Sequence, residues 1–279
     1  MPALGLGVLG RDHPELVSSS VETAIKSGYR LIDTAAAYGN ERQVGKGIRN
    51  SGIQRDELFV TTKLWLSDYG YESTQRACDV SLKKLGLEYI DLYLLHWPVP
   101  HDFYKTLDSY IAAEKLLKEG KVRAIGVCNF TELHLKTLMD NTSVIPSVNQ
   151  IELHPRYVQK SAQLFHQKLG ITTQAWSPIG GSVRRANETD PLTDPAIEAI
   201  AAKYNKTPSQ VILRWHLDNG ISAIPKSFTP SRIIENIDVF DFSLTPQERL
   251  LIDSLDTGLR SGPNPEDVDS TTFPITVDD

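Results

Sequence analysis

Four residues of unlike chemistry, Asp33, Tyr38, Lys63 and His96, stand at or just past the ends of three apolar runs, Arg30 to Asp33, Leu58 to Lys63 and Ile90 to His96. A carboxylate, a phenol, an ammonium and an imidazole offer proton transfer, metal ligation or an amine nucleophile. Singly, each has an ordinary explanation: Asp33 caps a turn, Lys63 snorkels to the surface, His96 makes a structural hydrogen bond. Together they do not, because burying such groups among apolar strands is costly unless they satisfy one another. Mutually perturbed groups of this kind mark functional sites. Metal hydrolysis is the weak option, since neither H-x-H nor H-E-x-x-H occurs, and no metal is expected. A barrel isomerase or aldolase using Lys63 as a Schiff-base amine stays open on these residues alone.

The elements that must position these groups follow from a repeated pattern. Eight short apolar runs read as strands: Ala3 to Val8, Arg30 to Asp33, Leu58 to Lys63, Ile90 to His96, Val122 to Val127, Ser147 to Ile151, Ile171 to Trp176 and Ile221 to Pro225. Longer stretches of helical period lie between them, with start signals at Asp12 before Pro14, Asp194-Pro195, Thr207-Pro208 with Gln210, and Thr229-Pro230. Thr245-Pro246 with Glu248 follows the eighth unit. No linker divides the units, so the expected fold is an α/β chain forming one (β/α)8 TIM barrel over residues 1–279, with an irregular segment from about 258 lying over one face. Barrel enzymes carry their chemistry at the C-terminal ends of the strands. The remaining strand ends are polar as well, at Cys128-Asn129, Asn149-Gln150, Trp176-Ser177 and Lys226-Ser227.

Gly5-Leu6-Gly7-Val8-Leu9-Gly10 matches the dinucleotide fingerprint G-x-G-x-x-G, with Asp33 near the place of a ribose-binding carboxylate. That motif needs a buried strand ahead of it and a helix at its third glycine. Here only four residues precede Gly5, and Arg11-Asp12-His13-Pro14 follows Gly10, so these glycines belong to the first strand or its exit.

Composition narrows the partners. Lys and Arg number 29 against 35 Asp and Glu, a net charge of -6, which is the wrong sign for holding nucleic acid or an anionic membrane. Two cysteines, Cys78 and Cys128, are too few for a disulfide framework or a cysteine-rich zinc site. No apolar run reaches membrane-spanning length, and the first residues lack the layout of a signal peptide. These features lead to the expectation of a soluble cytoplasmic protein, monomeric, acting on a small molecule.

With those strand ends in place, the sequence resembles the aldo-keto reductases along nearly its whole length. The resemblance rests on Leu31-Ile32-Asp33-Thr34-Ala35-Ala36-Ala37-Tyr38-Gly39-Asn40-Glu41, Thr61-Thr62-Lys63-Leu64-Trp65, Leu94-Leu95-His96-Trp97-Pro98 and Ile224-Pro225-Lys226-Ser227. The wording is similar to the bacterial branch of 2,5-diketogluconate reductases and related small-carbonyl reductases. It implies NADPH-dependent reduction of aldehydes or ketones, with Asp33, Tyr38, Lys63 and His96 as the catalytic tetrad. Tyr38 would give the proton, its acidity increased by Lys63, which Asp33 keeps charged, while His96 orients the carbonyl.

The resemblance also implies that Cys128, Asn129 and Gln150 face the nicotinamide carboxamide, that Trp176 stacks on its ring beside Ser177, and that Trp65 and Trp97 wall the substrate pocket. Lys226, Ser227 and Arg232 would hold the 2'-phosphate of NADP, with Glu235 and Asn236 at the adenine, next to a helix start that favours an anion. Three features depart from the family pattern. Cys128 replaces the usual Ser, giving a weaker hydrogen bond and a partly exposed thiol open to oxidation. Val8 replaces a hydroxyl residue, and the chain begins just before its first strand without the family's N-terminal hairpin. The competing class is an NADPH-binding regulatory or redox-sensing module of the same fold with little turnover.

Overall fold

Each apolar run forms a strand: β1 (Leu6–Gly7), β2 (Leu31–Asp33), β3 (Phe59–Leu64), β4 (Leu92–Leu95), β5 (Ile125–Cys128), β6 (Val148–Glu152), β7 (Thr172–Trp176) and β8 (Ser222–Ala223). The computed structural model describes residues 1–10, 13–180 and 190–277. All eight strands are parallel and lie in sequence order in one sheet. The two outermost are themselves joined by parallel bridges, Leu4 to Ala223 and Gly7 to Lys226. The Gly5 N–H donates to the Ala223 carbonyl at 2.9 Å and the Gly7 N–H to that of Pro225 at 3.0 Å.

Among the described residues ten α-helices connect and follow the strands: α1 (Pro14–Lys26), α2 (Glu41–Ser51), α3 (Tyr71–Leu85), α4 (Phe103–Lys118), α5 (Glu132–Asn141), α6 (Lys160–Leu169), α7 (Pro195–Tyr204), α8 (Pro208–Asp218), α9 (Pro230–Ile237) and α10 (Pro246–Asp253). Their starts follow local chemistry. Thr207 with Gln210 and Thr245 with Glu248 form reciprocal capping boxes, and Asp194 accepts from the Ala196 N–H. Thr229 precedes α9 without a side-chain cap bond. Asp12 lies outside the described residues. A third capping box, Thr131 with His134, opens α5 with a histidine in the place usually held by Glu or Gln.

Register decides which side chains face inward. Paired residues of neighbouring strands share a face, and faces alternate along a strand. The pairings Gly7 to Asp33, Asp33 to Thr61, Lys63 to Leu94, Leu94 to Gly126, Cys128 to Gln150, Gln150 to Gln174 and Gln174 to Ser222 therefore put Asp33, Lys63, Cys128, Gln150, Gln174 and Ser222 on one face. The other face, with Ile32, Val60, Tyr93, Leu95 and Val127, packs in the main apolar core. The glycines of the false fingerprint serve packing. A Cβ on Gly5 would come within 1.8 Å of Leu31, and one on Gly7 within 2.9 Å of the Ile224 carbonyl oxygen.

Past Gly258 the described chain has a single helical turn, Pro265–Asp267. This segment crosses the C-terminal ends of the strands, where the Trp65 indole N–H donates to the Ile275 carbonyl and Phe273 packs on Trp65 and Trp97.

Candidate active site

The floor of the site is an ion pair with no access to water. Lys63 Nζ donates to Asp33 Oδ1 at 2.5 Å and to the Thr34 carbonyl at 2.9 Å, with Lys63 0% and Asp33 1% exposed. Gln150 reaches across from β6 and donates to Asp33 Oδ2 at 2.7 Å, so both carboxylate oxygens accept, as an ionised carboxylate should. Gln150 also donates to Gln174 Oε1, and Gln174 to Ser222 Oγ, which continues the polar network to β8. Burial is the largest single influence and would lower the Lys63 pKa, but the Asp33 charge and hydrogen bond, together with the neighbouring Tyr38 and Cys128, outweigh it and hold the ammonium above its ordinary value. A protonated, enclosed Lys63 is a poor amine nucleophile, which argues against Schiff-base chemistry. Burial pushes the Asp33 carboxyl up against the opposing pull of Lys63 and Gln150.

Tyr38 closes a short helical turn, Ala36–Tyr38, made possible by Gly39 in the left-handed region at φ 65°. Asn40 fixes this turn from behind, accepting from Thr34 Oγ1 at 2.7 Å and donating to the Val8 carbonyl at 2.7 Å. The Lys63 ammonium lies 5.2 Å from the centre of the Tyr38 ring, and the His96 ring meets Tyr38 edge-on at 5.8 Å. The expected lowering of the phenol pKa by Lys63 operates but does not win. Burial is the larger effect, and the pKa stands above its ordinary value. His96 is neutral, its pKa driven well down by burial and by the nearby Lys63. Its buried Nδ1 has no hydrogen-bond partner among the described residues, and Trp65 meets its ring edge-on at 5.1 Å.

The groups expected around a nicotinamide converge beside this cluster. Asn129, at φ 63°, accepts from the Trp176 indole N–H at 2.8 Å and donates to the His96 carbonyl at 3.1 Å. Its amide keeps one N–H and one lone pair. Both N–H bonds of Gln150 are already spent, so only its carbonyl could serve a ligand. Ser177 follows Trp176 in the left-handed region at φ 49°. Cys128 corrects an expectation: it is 1% exposed among Leu92, Leu94 and Val148, and burial drives its thiol pKa far up. An inaccessible, protonated thiol resists oxidation.

At the β8 rim the picture is open. Lys226 and Arg232 are exposed, Lys226 resting on the Phe228 ring at 4.3 Å, and neither belongs to an ion pair among the described residues. The Ser227 hydroxyl accepts from the Thr229 N–H at 3.1 Å. Glu235 accepts from Thr207 Oγ1 at 2.8 Å, and Asn236 is buried. Exposed cations and a hydroxyl beside the start of α9 suit a phosphate monoester, while the half-buried Trp176 ring suits a flat heterocycle. The donor set therefore fits NADP.

Trp65 and Trp97 both lie at the mouth, 4% and 7% exposed, under Phe273. Asn40, Gln174, Phe273 and Ile275 join the site without having been singled out in the sequence. Gln174 alone carried a signal, an uncharged polar residue within a buried strand. Among the described residues no group of three or more His, Cys, Asp or Glu side chains converges on a possible metal position. No helix there is long and apolar enough to cross a membrane.

Comparison with known proteins agrees with this geometry. Residues 3–257 match the Aldo/keto reductase family. The chain is 54% identical to morphine 6-dehydrogenase of Pseudomonas putida over 279 residues, covering 98% of this chain and 94% of that protein. It is 47% identical to the methylglyoxal reductase of Escherichia coli over 270 residues, covering 95% and 94%. A Bombyx mori aldo-keto reductase solved in complex with NADP superposes with a TM-score of 0.88 at 37% identity, covering 100% of this chain and 95% of the other. The chain belongs to the aldo/keto reductase family. It is accordingly an NADP-dependent oxidoreductase.

Proposed function

We propose that this protein reduces small aldehydes or ketones to alcohols with NADPH, Tyr38 being the proton donor. The observation that carries the reading is the sealed Asp33–Lys63 pair beside the Tyr38 ring, with a neutral His96 meeting the same ring edge-on. NADPH supplies the hydride when bound. Burial keeps the Tyr38 phenol protonated at neutral pH, so the proton is available as charge develops on the substrate oxygen. The Lys63 ammonium then stabilises the phenolate left behind, and Asp33 holds that ammonium in place and charged. An unpartnered buried Nδ1 favours the tautomer with the proton on Nε2, which lets His96 donate to the carbonyl oxygen.

The reading assigns Asn129, Gln150, Trp176 and Ser177 to the nicotinamide end, with Cys128 in the wall behind it, and Lys226, Ser227, Arg232, Glu235 and Asn236 to the adenosine end. Trp65 and Trp97 line the substrate side. It takes the chain as one closed barrel, a cytoplasmic monomer of the bacterial branch of 2,5-diketogluconate and related small-carbonyl reductases. A relative named as a methylglyoxal reductase supports the substrate size, and two free, buried cysteines suit a reducing compartment. The test is turnover of NADPH with a panel running from methylglyoxal to aromatic aldehydes and keto sugars. Absence of turnover with every member would overturn the reading.

A further inference from the structure

Glu152 is a charged residue that the chemistry above does not use, yet it is 0% exposed. It ends β6, two residues past Gln150, and pairs in register with Trp176 on β7. Its Oε1 accepts from the Ser261 N–H at 2.7 Å, from Ser261 Oγ at 2.6 Å and from the Gly262 N–H at 3.3 Å, and faces His154 Nε2 at 3.1 Å. Its Oε2 accepts from the Gly262 N–H at 3.1 Å, with Arg260 at 3.9 Å. Burial favours the neutral acid, but the hydrogen bonds from His154 and Ser261 outweigh it and hold the carboxyl below its ordinary value. A buried carboxylate with this many donors is a clamp on the segment at 260–262.

What the clamp presses on is the Trp176 ring. A Cβ on Gly262 would lie 2.4 Å from Trp176 Cη2, 3.3 Å from Cζ3 and 3.1 Å from Glu152 Oε2, so the glycine fills the gap between carboxylate and indole with no room to spare. The opposite end of the ring is held by its N–H bond to Asn129. The indole is thus pinned at both ends, by Asn129 just past β5 and by the C-terminal segment that Glu152 holds. We infer that Glu152 is a positioning residue for the cofactor: by holding Ser261 and Gly262 against the edge of Trp176, it sets where the ring lies beneath the nicotinamide. The inference rests on the reading that Trp176 stacks on that ring.

The experiment compares NADPH with adenosine 2',5'-bisphosphate, which keeps the phosphate handle and lacks the nicotinamide, by calorimetric titration of the full-length protein. Glu152→Gln places an NH2 group against the Gly262 N–H whichever way the amide turns, because that N–H is shared by both carboxylate oxygens. It is expected to weaken NADPH and NADH alike by about tenfold and to leave the bisphosphate within about twofold of wild type. Gly262→Ala, with the carboxylate intact, is expected to give the same selective loss and decides the matter if the first variant fails to fold. Trp176→Ala is the control. If it loses the nicotinamide-dependent affinity while Glu152→Gln and Gly262→Ala do not, the clamp is overturned and the stacking reading stands. If Trp176→Ala changes neither ligand, the stacking reading fails and the clamp with it. Equal weakening of NADPH and bisphosphate in the clamp variants would mark a general structural role and overturn the inference.

Discussion

The inner face of the curled sheet and the rim after β8 hold charge in opposite ways. Inside, Lys63, Asp33, Gln150 and Gln174 satisfy one another without water, and both oxygens of Asp33 are occupied. At the rim, Lys226 and Arg232 stand in solvent with no ion pair among the described residues. The first arrangement is fixed before any ligand arrives, which is what electrostatic stabilisation of a transition state requires. The second leaves its charges available to the 2'-phosphate proposed there, which would contribute binding free energy without altering the reacting geometry. Chemistry and affinity should therefore be separable by mutation.

Tyr38→Phe tests the inner region most directly. Carbonyl reduction should fall by about 10²–10⁴-fold while NADPH affinity stays within about twofold of wild type. Activity within about tenfold of wild type would remove Tyr38 from the proton-donor role. The interior should also be the acid-sensitive part of the molecule. His166 and His216 are enclosed, and burial lowers both pKa values to about 4. The unfolded chain takes up these protons near pH 6.5, so stability should be lost as pH falls from there toward 4, by up to about 3 kcal/mol per histidine. Denaturant midpoints measured across that range check the sign, and a flat profile contradicts it.

The rim should respond to cofactor identity instead. Arg232→Ala is expected to weaken NADPH by one to two orders of magnitude, at roughly 1.5–3 kcal/mol per charge-assisted contact, and to leave NADH almost untouched. Equal weakening of both would move Arg232 off the 2'-phosphate. The smallest effect lies where the regions meet. NADPH binding should quench tryptophan emission, and Trp176→Ala should remove most of that quenching over the background from Trp65, Trp97 and Trp215. Quenching that persists in the variant would place the nicotinamide elsewhere.

Strand positions were legible because each buried run is short, apolar and bounded by polar ends, and the capping boxes at Thr207 and Thr245 follow from local spacing. The Thr131 box was not, since a histidine at its third position is an unusual partner. Asp33, Tyr38, Lys63 and His96 could be singled out as polar groups at or just past the ends of apolar strands. The net acidity of Tyr38 could not, because it is a balance of burial against Lys63 that only packing decides. The roles of Gln150 and Glu152 were hidden for a related reason. Each depends on a partner more than a hundred residues away, Asp33 for one and Ser261 for the other, and spacing along the chain carries no trace of either.

The tie between Trp65 and Ile275 spans 210 positions, and that between Glu152 and Ser261 spans 109. Such contacts raise the mean sequence separation that slows folding. During synthesis every strand is made before the last wall of the pocket emerges. An incomplete chain can therefore carry Asp33, Tyr38, Lys63 and His96 and still lack the segment that packs on Trp65 and Trp97, so on the ribosome the residues proposed for chemistry precede those proposed for choice.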